Sequence, residues 1–533
     1  MGQPAPISRR SFLAGGAAAG IGLSLGPRAV ERAMAAGRRP GGHPGAGRHP
    51  VVRAEPPAPP PVVRYVSRPD LTPVGVSIRS TPEIEALGNR AGYLFCAPKP
   101  PAKASPGRVP VEGPFPAGAS PGLMILDTSG ELVWFKPLPG VHEVPFNFRV
   151  QTYRGRPTLT WFQGTVRFAH GMGHYVLADS TYGEFAQVVS TGYPCDLHEF
   201  IVTPEDTALH TAYDDTSLRV RGLPTFIGHA QEVDVATNEL VFDWASYPEV
   251  GLRLSEVRPG GGFFDYFHIN SIDLWPGAAR DLLVSSRNTS AVYLVDRQTK
   301  RVRWRVGGKR SDFAMGRGSD FYFQHDARSL ADGSGISLFD DASPPCPERY
   351  ASGKVLRLDQ AGRTATLVHR YRHTDGEMST PSQGNCQLLA NGGHMVGWGF
   401  QPYFSIYAPS PDGVLGAPLV LDGRFAEGAA SYRSFLFDWV GNPPQDELAL
   451  VVRRTGPPGQ LTGWASWNGA TEVAAWRVSG GPLPATLRPL VTTAKLGFET
   501  AIPFAGDGAT TFELEALDVN GQVLGRSLPV PLD

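Results

Sequence analysis

The stretch Ala291-Val-Tyr-Leu-Val-Asp296-Arg-Gln-Thr-Lys300-Arg-Val-Arg-Trp-Arg-Val306 carries the pattern of a β-hairpin. An apolar run ends in an aspartate, a short turn follows, and a second alternating run begins. The aspartate can accept hydrogen bonds from the backbone of its own turn, which explains its position. The pattern recurs in residues 123–135, 174–189, 230–244 and 354–371, and in a degenerate form in residues 404–421, where the aspartates are Asp127, Asp179, Asp234, Asp359 and Asp412.

The copies follow one another at intervals of about 50 to 60 residues, a spacing typical of four-stranded propeller blades. Two more strand-like runs precede the later hairpins; before residue 291 they are residues 268–275 and 281–287. Six copies of four strands predict an all-β fold, a six-bladed β-propeller in residues 63–436. An irregular β-sandwich whose turns are similar by chance is the alternative.

In a propeller the first strand of each blade lines the central channel, so equivalent first-strand residues converge on the axis. Histidine occupies this position in three successive copies. Polar or aromatic residues stand at comparable places on the second strands. The first-strand residues are His198, His268, His325 and Asn385, with Asn147 as a weaker match, and the second-strand residues are Trp161, Tyr213, Arg287, Asp340 and Trp398.

Such a group of side chains suits chemistry on an anion. A neutral imidazole is a good nucleophile and can act as an acid or a base near neutral pH. The guanidinium of Arg287 carries a permanent charge on a planar fork that fits tetrahedral oxyanions such as sulfate or phosphate. His268 and Asn270 alternate along a strand and are expected to face one side, where the asparagine adds a neutral donor. The sequence therefore predicts sulfuryl or phosphoryl transfer at the axis.

Composition excludes some classes of partner. The 49 basic and 50 acidic residues give a net charge of −1, which provides no electrostatic basis for binding nucleic acid or an anionic membrane. The 63 glycines and 50 prolines suit a chain with many turns and argue against a helical protein. Cys96, Cys195, Cys346 and Cys386 lack the spacing of a zinc site, and both free thiols and disulfides remain open for them.

The N-terminus contains the pattern of an export signal. Ser8-Arg9-Arg10-Ser11-Phe12-Leu13 precedes a weakly apolar stretch of alanine, glycine and leucine that ends near Gly26. Residues 1–36 are therefore predicted to be a twin-arginine signal that places the protein in the periplasm or outside the cell. A disordered arginine-bearing tail and an uncleaved anchor are the alternatives. No other segment of the sequence has the apolar length to span a bilayer.

Two further segments flank the repeats. Residues 37–62 are rich in glycine, proline, arginine and histidine and are predicted to be a disordered spacer. After about residue 435 the hairpin pattern gives way to short alternating strands, such as residues 448–452 and 472–478. Residues 437–533 are predicted to form a small β-sandwich of the fibronectin type III kind. This segment contains no catalytic constellation, so its expected role is packing against the propeller or contact with a partner.

Between residues 196 and 439 a set of motifs resembles the arylsulfotransferase family, the PAPS-independent aryl sulfate sulfotransferases. The motifs occur together and in order, which makes the set more specific than any single motif. The matching stretches are DLHEF (196–200), DYFHINSIDLW (265–275), LLVSSRN (282–288), FQHDARSL (323–330), SQGNC (382–386) and SYRSFLFDWVGNP (431–443). The resemblance implies a six-bladed propeller with an axial site, and ping-pong transfer through a sulfohistidine without a cofactor.

Carried over by motif, the resemblance implies that His325 is the nucleophile. The partners would be a small aryl sulfate donor and a phenolic acceptor, and one of His198 and His268 would be the general acid for the departing phenol oxygen. The side chains that would hold the sulfuryl oxygens are His198, His268, Asn270 and Arg287. The remaining axial residues that we predict to contact substrate are Asn385, Trp398, Tyr213 and Asp340.

The sequence departs from the family pattern at two places. Asp326 and Arg328 follow the nucleophile and have no assigned role, and Ile406 stands where an acidic residue is expected. Structural roles also remain open for the candidate residues themselves. In such structural roles, His325 would be a buried histidine held by hydrogen bonds next to Asp326, and Arg287 would pair with Asp281 or Asp326. His198 would bond Glu199 or another neighbour.

Functions of other classes are also compatible with these residues. Three histidines on an axis could bind zinc, copper or iron, although Arg287 close by would repel a cation. The propeller could instead be a non-catalytic scaffold or a binder of sulfated ligands.

Overall fold

Short runs of β-branched and aromatic residues alternate with turns along the chain, and the folded protein is correspondingly built almost entirely from antiparallel strands. In the computed structural model, the described residues are 55–87, 91–100, 102–103, 111–112, 115–138, 140, 143–343, 346, 350–374, 378–409 and 417–533. The predicted signal (1–36), most of the predicted spacer (37–62) and Asp412 of the sixth hairpin lie outside the described residues.

The repeated region contains thirty strands with described bounds. In its first half they are β1 (Val76–Ser80), β2 (Tyr93–Lys99), β3 (Ala102–Lys103), β4 (Val111–Glu112), β5 (Gly122–Leu126), β6 (Leu132–Pro137), β7 (Val144–Tyr153), β8 (Arg156–Arg167), β9 (His170–Ala178), β10 (Glu184–Val188), β11 (Cys195–Val202), β12 (Thr207–Asp214), β13 (Arg219–Val220), β14 (Leu223–Pro224), β15 (Ile227–Asp234) and β16 (Leu240–Ala245). In its second half they are β17 (Ile269–Leu274), β18 (Leu282–Ser286), β19 (Ala291–Val295), β20 (Val302–Gly307), β21 (Ala314–Met315), β22 (His325–Ser329), β23 (Gly335–Asp340), β24 (Ser352–Asp359), β25 (Thr364–Tyr371), β26 (Asn385–Leu388), β27 (His394–Gly397), β28 (Tyr403–Tyr407), β29 (Leu419–Phe425) and β30 (Ala430–Phe437).

Most of these strands belong to four-stranded antiparallel meanders, which we number in chain order. They are meander 1 (β30, β2, β5, β6), meander 2 (β7 to β10), meander 3 (β11, β12, β15, β16), meander 4 (β17 to β20), meander 5 (β22 to β25) and meander 6 (β26 to β29). Strand β1 adds to the outer edge of meander 6, and β21 adds in parallel to that of meander 5. Hydrophobic clusters fill the spaces between meanders; one of them contains Leu283 of meander 4 and Leu338 of meander 5.

Meander 1 joins the two ends of the repeated region. Its first strand, β30, follows all the other meanders in the chain, whereas its other three strands precede them. Strand β30 pairs with β2, with Phe435 opposite Phe95. Each first strand also contacts the first strand of the next meander, from β30 through β7, β11, β17, β22 and β26 back to β30. The six first strands therefore form a closed ring.

The aspartates predicted to fix the hairpin turns do so. Each of the five described ones accepts a hydrogen bond at Oδ1 from the backbone N–H two residues later, at 2.8 to 3.0 Å. These turns join the third and fourth strands of their meanders. The hairpin prediction is therefore confirmed at Asp127, Asp179, Asp234, Asp296 and Asp359.

A buried cluster of charges, here called the axial ion network, connects the first strands. It consists of Arg149, Glu199, Asp326, Arg328 and Arg433. The carboxylate of Glu199 contacts Arg149 at 2.6 Å, Arg328 at 2.5 Å and Arg433 at 3.2 Å. The carboxylate of Asp326 contacts Arg328 at 2.5 Å. Asp326 and Arg328, which had no role from sequence, thus belong to this network.

The axial ion network reaches every meander. Arg433 of meander 1 donates to the carbonyl of Asn270 in meander 4 and to Oδ1 of Asn147 in meander 2. Asp326 of meander 5 accepts from the backbone N–H of Cys386 in meander 6. With Glu199 of meander 3, all six first strands share this network, which fixes their relative positions at the axis.

The C-terminal residues form two antiparallel sheets around a core of their own. Their strands are β31 (Leu448–Arg454), β32 (Gln460–Trp467), β33 (Ala475–Gly481), β34 (Arg488–Ala494), β35 (Glu499–Ala505), β36 (Thr511–Leu517), β37 (Val523–Arg526) and β38 (Val530–Pro531). One sheet has the order β31-β32-β35 and the other β34-β33-β36-β37, with β38 also paired to β36. Both sheets bury side chains in one hydrophobic cluster that includes Leu450, Trp476 and Phe512.

This C-terminal part packs against meanders 1 and 2. The side chain of Asn468 bonds both the backbone N–H and the carbonyl of Phe135, and the hydroxyl of Tyr182 donates to the carbonyl of Gly469. The helices with described bounds are short: α1 (Pro82–Leu87) and the 3-10 helices Leu252–Leu254, Gln445–Glu447 and Pro484–Thr486. Within the described residues, none of the helices has the length and apolar character needed to cross a membrane.

Candidate active site

Three histidines stand at or near the beginning of successive first strands, and each contacts a different carboxylate. His198 lies on β11, His268 directly precedes β17, and His325 begins β22. The Nδ1 atom contacts a carboxylate oxygen in every case, at 2.6 Å for His198 and Asp196, 2.5 Å for His268 and Asp265, and 2.6 Å for His325 and Asp341. With Nδ1 as the donor, the lone pair is on Nε2, so each imidazole presents a basic nitrogen on its other side.

The backbone around these histidines departs from regular strand geometry. His268 has φ 53° and Asp326 has φ 54°, both in the left-handed region that side chains other than glycine rarely occupy. The pairing register also shifts within β11, β17 and β22, next to each histidine. Bulges of this kind re-aim side chains, and they are found next to active sites more often than elsewhere.

The imidazoles gather around the phenol ring of Tyr432, which is on β30. The ring centres of His198 and His268 are 4.7 Å apart. The ring of Tyr432 lies 5.9 Å from that of His198 and 6.5 Å from that of His325. The hydroxyl of Tyr432 is buried and makes no hydrogen bond with a described residue. First strands of four meanders thus contribute to one buried group.

Arg287, directly after β18, is the cation of this group. Its guanidinium donates to Oδ1 of Asn288 and to the carbonyl of Pro381, both at 2.8 Å, and lies over the ring of Phe323. Among the described residues, no carboxylate oxygen lies within 4.0 Å of it, and its Nε makes no hydrogen bond. The expected alternative partners are engaged elsewhere, Asp281 with Arg303 and Asp326 with the axial ion network. The charge of Arg287 is therefore available to an anion.

Burial and charge keep two of the histidines neutral. Burial, followed by the positive charge of Arg287, lowers the pKa of His325 well below its ordinary value. Burial lowers the pKa of His268 to about 4, although Asp265 opposes this effect. His325 is 1% exposed, and its Nε2 accepts a hydrogen bond from the backbone N–H of Gln383 at 3.2 Å. At neutral pH both side chains thus offer an unprotonated nitrogen.

Aromatic side chains lead from these histidines toward the surface. Next to His268, at 5.4 Å between ring centres, lies the buried ring of His170. Phe226 packs on His170 at 4.3 Å, and Phe263 lies 5.6 Å from Phe226. Phe263 contacts Phe168 at 4.9 Å, and both of these rings are half-buried. We call Phe168, Phe226 and Phe263 the aromatic wall.

One set of side chains in the described part of the chain is close enough to share an ion. Ligand-capable atoms of His170, Asp265 and His268 lie within 4.8 Å of one another. The hydrogen bond from His268 to Asp265 already accounts for the shortest of these contacts. The set differs from the three first-strand histidines that the sequence suggested as possible ligands.

Residues 149–411 match the sequence model of the arylsulfotransferase (ASST) family. The chain belongs to the arylsulfotransferase family. The matched segment contains the three histidines and Arg287, but it ends before Tyr432 and Arg433 of β30. No curated protein matches the chain.

Solved structures with similar folds are distant from this arylsulfotransferase. A protein of unknown function from Bacteroides caccae is 10% identical, with a TM-score of 0.37 and 64% of this chain and 98% of that chain covered. TolB from Acinetobacter baumannii is 13% identical, with a TM-score of 0.32, and the match covers 64% of this chain and 65% of that chain. Hydrazine synthase from Kuenenia stuttgartiensis is 10% identical, with a TM-score of 0.32, and the match covers 54% of this chain and 70% of that chain.

The structure brings only some of the predicted residues of this arylsulfotransferase to the histidines. Tyr213 lies there: its ring is 6.4 Å from that of His198, and its hydroxyl donates to the carbonyl of Ile269. The other three predicted substrate contacts have buried partners of their own. Asn385 bonds the backbone N–H and carbonyl of Ser434, Trp398 donates to Oγ of Ser405, and Asp340 contacts Lys354 at 2.7 Å.

Asn270 does not simply share a face with His268. A bulge lies between Ile269 and Ser271, so the regular alternation that the sequence argument used is interrupted. The amide nitrogen of Asn270 donates to the carbonyl of Gln324 at 2.6 Å, and its buried Oδ1 makes no hydrogen bond with a described residue. Asn270 thus joins the histidine-bearing loop of meander 5 to meander 4.

Sequence reasoning missed His170 and Tyr432. His170 begins β9, a third strand, and the repeat argument considered only first and second strands. Tyr432 lies on the first strand of meander 1, which comes last in the chain, so its equivalence to the other first strands was hidden. The signal that could have found it is the motif SYRS (431–434) within β30, where Tyr432 takes the place that histidine or asparagine has on the other first strands.

Three of the four cysteines are buried free thiols: Cys96, Cys195 and Cys386. For these three, the structure favours thiols over the disulfides that the sequence left open. Cys346 is half-buried. Burial raises the pKa of Cys386 above its ordinary value, which keeps this thiol protonated and unreactive.

Proposed function

We propose that the protein transfers a sulfuryl group from an aryl sulfate ester to a phenol, with a sulfohistidine at His325 as the intermediate. Membership of the arylsulfotransferase family supports the reaction class. The observation that carries the assignment is a neutral imidazole, oriented by Asp341, close to an arginine that has no described carboxylate partner. A nucleophile and a permanent cation for a sulfuryl anion are the two parts that this reaction needs.

In the first half-reaction, Nε2 of His325 gives up the hydrogen bond from the backbone N–H of Gln383 and attacks the sulfur of the aryl sulfate. The N–S bond forms while the S–O bond to the ring breaks, and the aryl oxide leaves with the electron pair. Asp341, bonded to Nδ1, stabilises the positive charge that develops on the imidazole when this carboxyl is ionised. Burial raises the pKa of Asp341 and so opposes ionisation, whereas the nearby charge of Arg287 favours it. Arg287 binds the sulfuryl oxygens, whose negative charge persists through the step.

In the second half-reaction, a phenol attacks the sulfur of the sulfohistidine. The new O–S bond forms, the N–S bond breaks, and the electron pair returns to Nε2 of His325. The phenol gives up its proton to a nearby base. His268 suits this role because its Nδ1 is engaged by Asp265, which leaves Nε2 free, and because burial keeps it neutral. Two moderate steps replace one difficult direct transfer.

The aromatic wall is our proposed binding surface for the rings of donor and acceptor. Phe168 and Phe263 are half-buried and Phe226 is buried, so the surface is apolar and deepens toward His170 and the histidines. Aromatic rings bind each other in tilted and edge-on arrangements such as these, each contributing about 0.5–1.5 kcal/mol. A phenyl ring held there would direct its oxygen toward the imidazoles.

We also infer the architecture that holds this site. The closed ring of first strands, and the strand β30 that joins the chain's two ends in meander 1, support six meanders arranged as the blades of a six-bladed β-propeller. The two C-terminal sheets around one hydrophobic cluster support a β-sandwich in residues 437–533, packed on meander 1. The site then lies on the propeller axis at one end of the axial ion network.

The proposed reaction has a direct assay. The purified protein should release 4-nitrophenol from 4-nitrophenyl sulfate and transfer the sulfuryl group to phenol, without nucleotide sulfate and in the presence of excess EDTA. Rates with and without EDTA should agree within about twofold, because the proposed groups are His325, Arg287 and His268 alone. If chelation stops transfer and a single metal restores it, a metal centre replaces this mechanism. A protein that binds aryl sulfates but never turns them over would be a binding protein instead.

We further propose that residues 1–36 direct export of the protein, on the basis of Arg9 and Arg10 ahead of an apolar stretch. Replacing both arginines with lysine should retain the protein in the cytoplasm, because twin-arginine recognition depends on the guanidinium pair. Cell fractionation with an antibody to the chain measures this. Equal amounts of both forms outside the cytoplasm would show that the signal is of another kind.

A further inference from the structure

A fourth buried histidine stands next to the three at the first strands. His170 follows Phe168 and Ala169, whose φ angles of 53° and 66° turn the chain from β8 into β9. Its ring packs on Tyr213 at 4.1 Å and on Phe226 at 4.3 Å between centres. The side chain is 4% exposed. Aromatic contacts on two sides thus hold this imidazole in one place.

The side chain of His170 has one polar partner among the described residues, the carboxylate of Asp265. Its Nε2 lies 3.2 Å from Oδ2 of Asp265, within ion-pair distance, and its buried Nδ1 makes no hydrogen bond with a described residue. The same Oδ2 atom is 2.5 Å from Nδ1 of His268. Two imidazoles therefore face one carboxylate oxygen.

We propose that His170 is a positioning residue of the transfer site, which shares the Asp265 carboxylate with His268 and limits how strongly this carboxylate can promote protonation of His268. The inference rests on the proposed role of His268 as the base for the phenol acceptor. It concerns a residue that lies on a third strand and outside the motif set that identified the site.

The physical argument concerns one oxygen with two imidazoles. A carboxylate that faces a single histidine stabilises its protonated form. A second imidazole at the same oxygen, as an N–H dipole or as a cation, withdraws part of that stabilisation. Asp265 accordingly raises the pKa of His268, whereas His198 and His170 lower it, in addition to the larger effect of burial. The other titratable or charged groups around the pair include Asp196 and His198 on β11, Tyr213 on β12, Arg287 after β18 and His325 on β22.

A neutral His268 is needed for the second half-reaction, in which the phenol acceptor loses its proton. A protonated His268 could not accept the proton of the phenol. By keeping His268 unprotonated down to low pH, His170 extends the range in which the second half-reaction proceeds. The first half-reaction with 4-nitrophenyl sulfate needs no base, so His170 should hardly affect it.

The test is His170→Phe in the full-length protein, since phenylalanine keeps the ring against Tyr213 and Phe226 but has no nitrogen. Two measurements are made: histidine NMR titration of His268 in the resting protein, and the pH dependence of sulfuryl transfer to phenol. The pKa of His268 should rise by about one unit, and the acid limb of transfer should move to higher pH by the same amount. Release of 4-nitrophenol in the first turnover should stay within about threefold of the wild-type rate. The matched control is His174→Phe on the same strand, which should change neither the pKa of His268 nor the pH dependence of transfer.

A second variant shows whether His170 acts through Asp265. In an Asp265→Asn background, adding His170→Phe should no longer shift the titration of His268, because the shared carboxylate is gone. If His170→Phe does not fold, His170→Leu replaces it with the same expected direction, because leucine also lacks a hydrogen-bond donor. An unshifted His268 titration in a folded variant overturns the inference, whether or not the protein is active. An inactive wild-type protein would instead sink the proposed function and leave the NMR result to decide this inference.

Discussion

Replacing His325 with asparagine is expected to abolish both the release of 4-nitrophenol from 4-nitrophenyl sulfate and the transfer of the sulfuryl group to phenol. Asparagine keeps a polar side chain near Asp341 but has no nucleophilic nitrogen, so the N–S bond cannot form. Loss of a covalent nucleophile typically lowers turnover by roughly 10⁴- to 10⁶-fold. Steady-state assays and a pre-steady-state burst measurement record both half-reactions.

The position of the intermediate is tested on the wild-type protein. Rapid quenching with labelled aryl sulfate and no acceptor should leave one label per chain, on the peptide that contains His325. The matched control is His369→Asn on β25 of the same meander, a half-buried histidine away from the site, which should keep the wild-type burst. A label on another residue, or a full burst in His325→Asn, would falsify the assignment and make His268 the next candidate.

The sequence was informative about this nucleophile because two local signals coincide. The turn aspartates, such as Asp296, mark each copy of the repeat through a bond that depends only on neighbouring residues. The copies in turn predict which strand comes first, and three histidines fall at that position. Local turn chemistry and periodicity are properties of short segments, so they can be recognised without the tertiary structure.

The partners of these histidines could not be predicted in the same way. Asp341 lies sixteen positions after His325, on the far side of a hairpin, and its approach depends on how β22 pairs with β23. His170, on meander 2, contacts Asp265, which precedes meander 4. Such contacts depend on the arrangement of complete strands, and bulges such as that at Asn270 change which way a side chain faces.

The charged residues after the nucleophile illustrate the same limit. From sequence, Asp326 and Arg328 are two isolated departures from a family pattern. In the folded chain they meet Glu199 and Arg433, residues more than one hundred positions away, in a largely buried network. Their role is to connect first strands, which only closure of the ring makes visible.

The largest effect on stability is expected at Glu199, the carboxylate that three arginines of this network share. Glu199→Gln has nearly the same shape but no charge. Among the described residues, Asp326 would remain as the ion-pair partner of Arg328 and Arg433, and the buried Arg149 would lose its ion pair. Removing one partner from a buried ion pair costs about 3–5 kcal/mol, because the remaining charge is left uncompensated. The midpoint of thermal unfolding at pH 7 should therefore fall by several degrees.

The pH dependence of this loss separates charge from shape. Burial raises the pKa of Glu199, but Arg328, Arg433 and Arg149 outweigh burial and lower it from 4.5 to about 2. A depressed pKa contributes stability that is fully present above the ordinary value and is lost as the pH falls toward the folded one. The difference in unfolding midpoint between wild type and Glu199→Gln should thus be constant from pH 7 to pH 5 and shrink below about pH 4.5.

A matched variant shows whether the shared position of Glu199 matters. Glu232→Gln makes the same change at another buried glutamate on β15, which has a single, partly exposed arginine partner, Arg297. Glu232→Gln should lower the free energy of unfolding by only about 1 kcal/mol, since the remaining arginine can reach water. Equal losses in the two variants, or a Glu199 difference that does not change with pH, would mean that the three arginines are neutralised by other groups. The larger loss at Glu199 is expected because Glu199 pairs with all three arginines, whereas Asp326 pairs with Arg328 and Arg433, at the point where the six first strands meet.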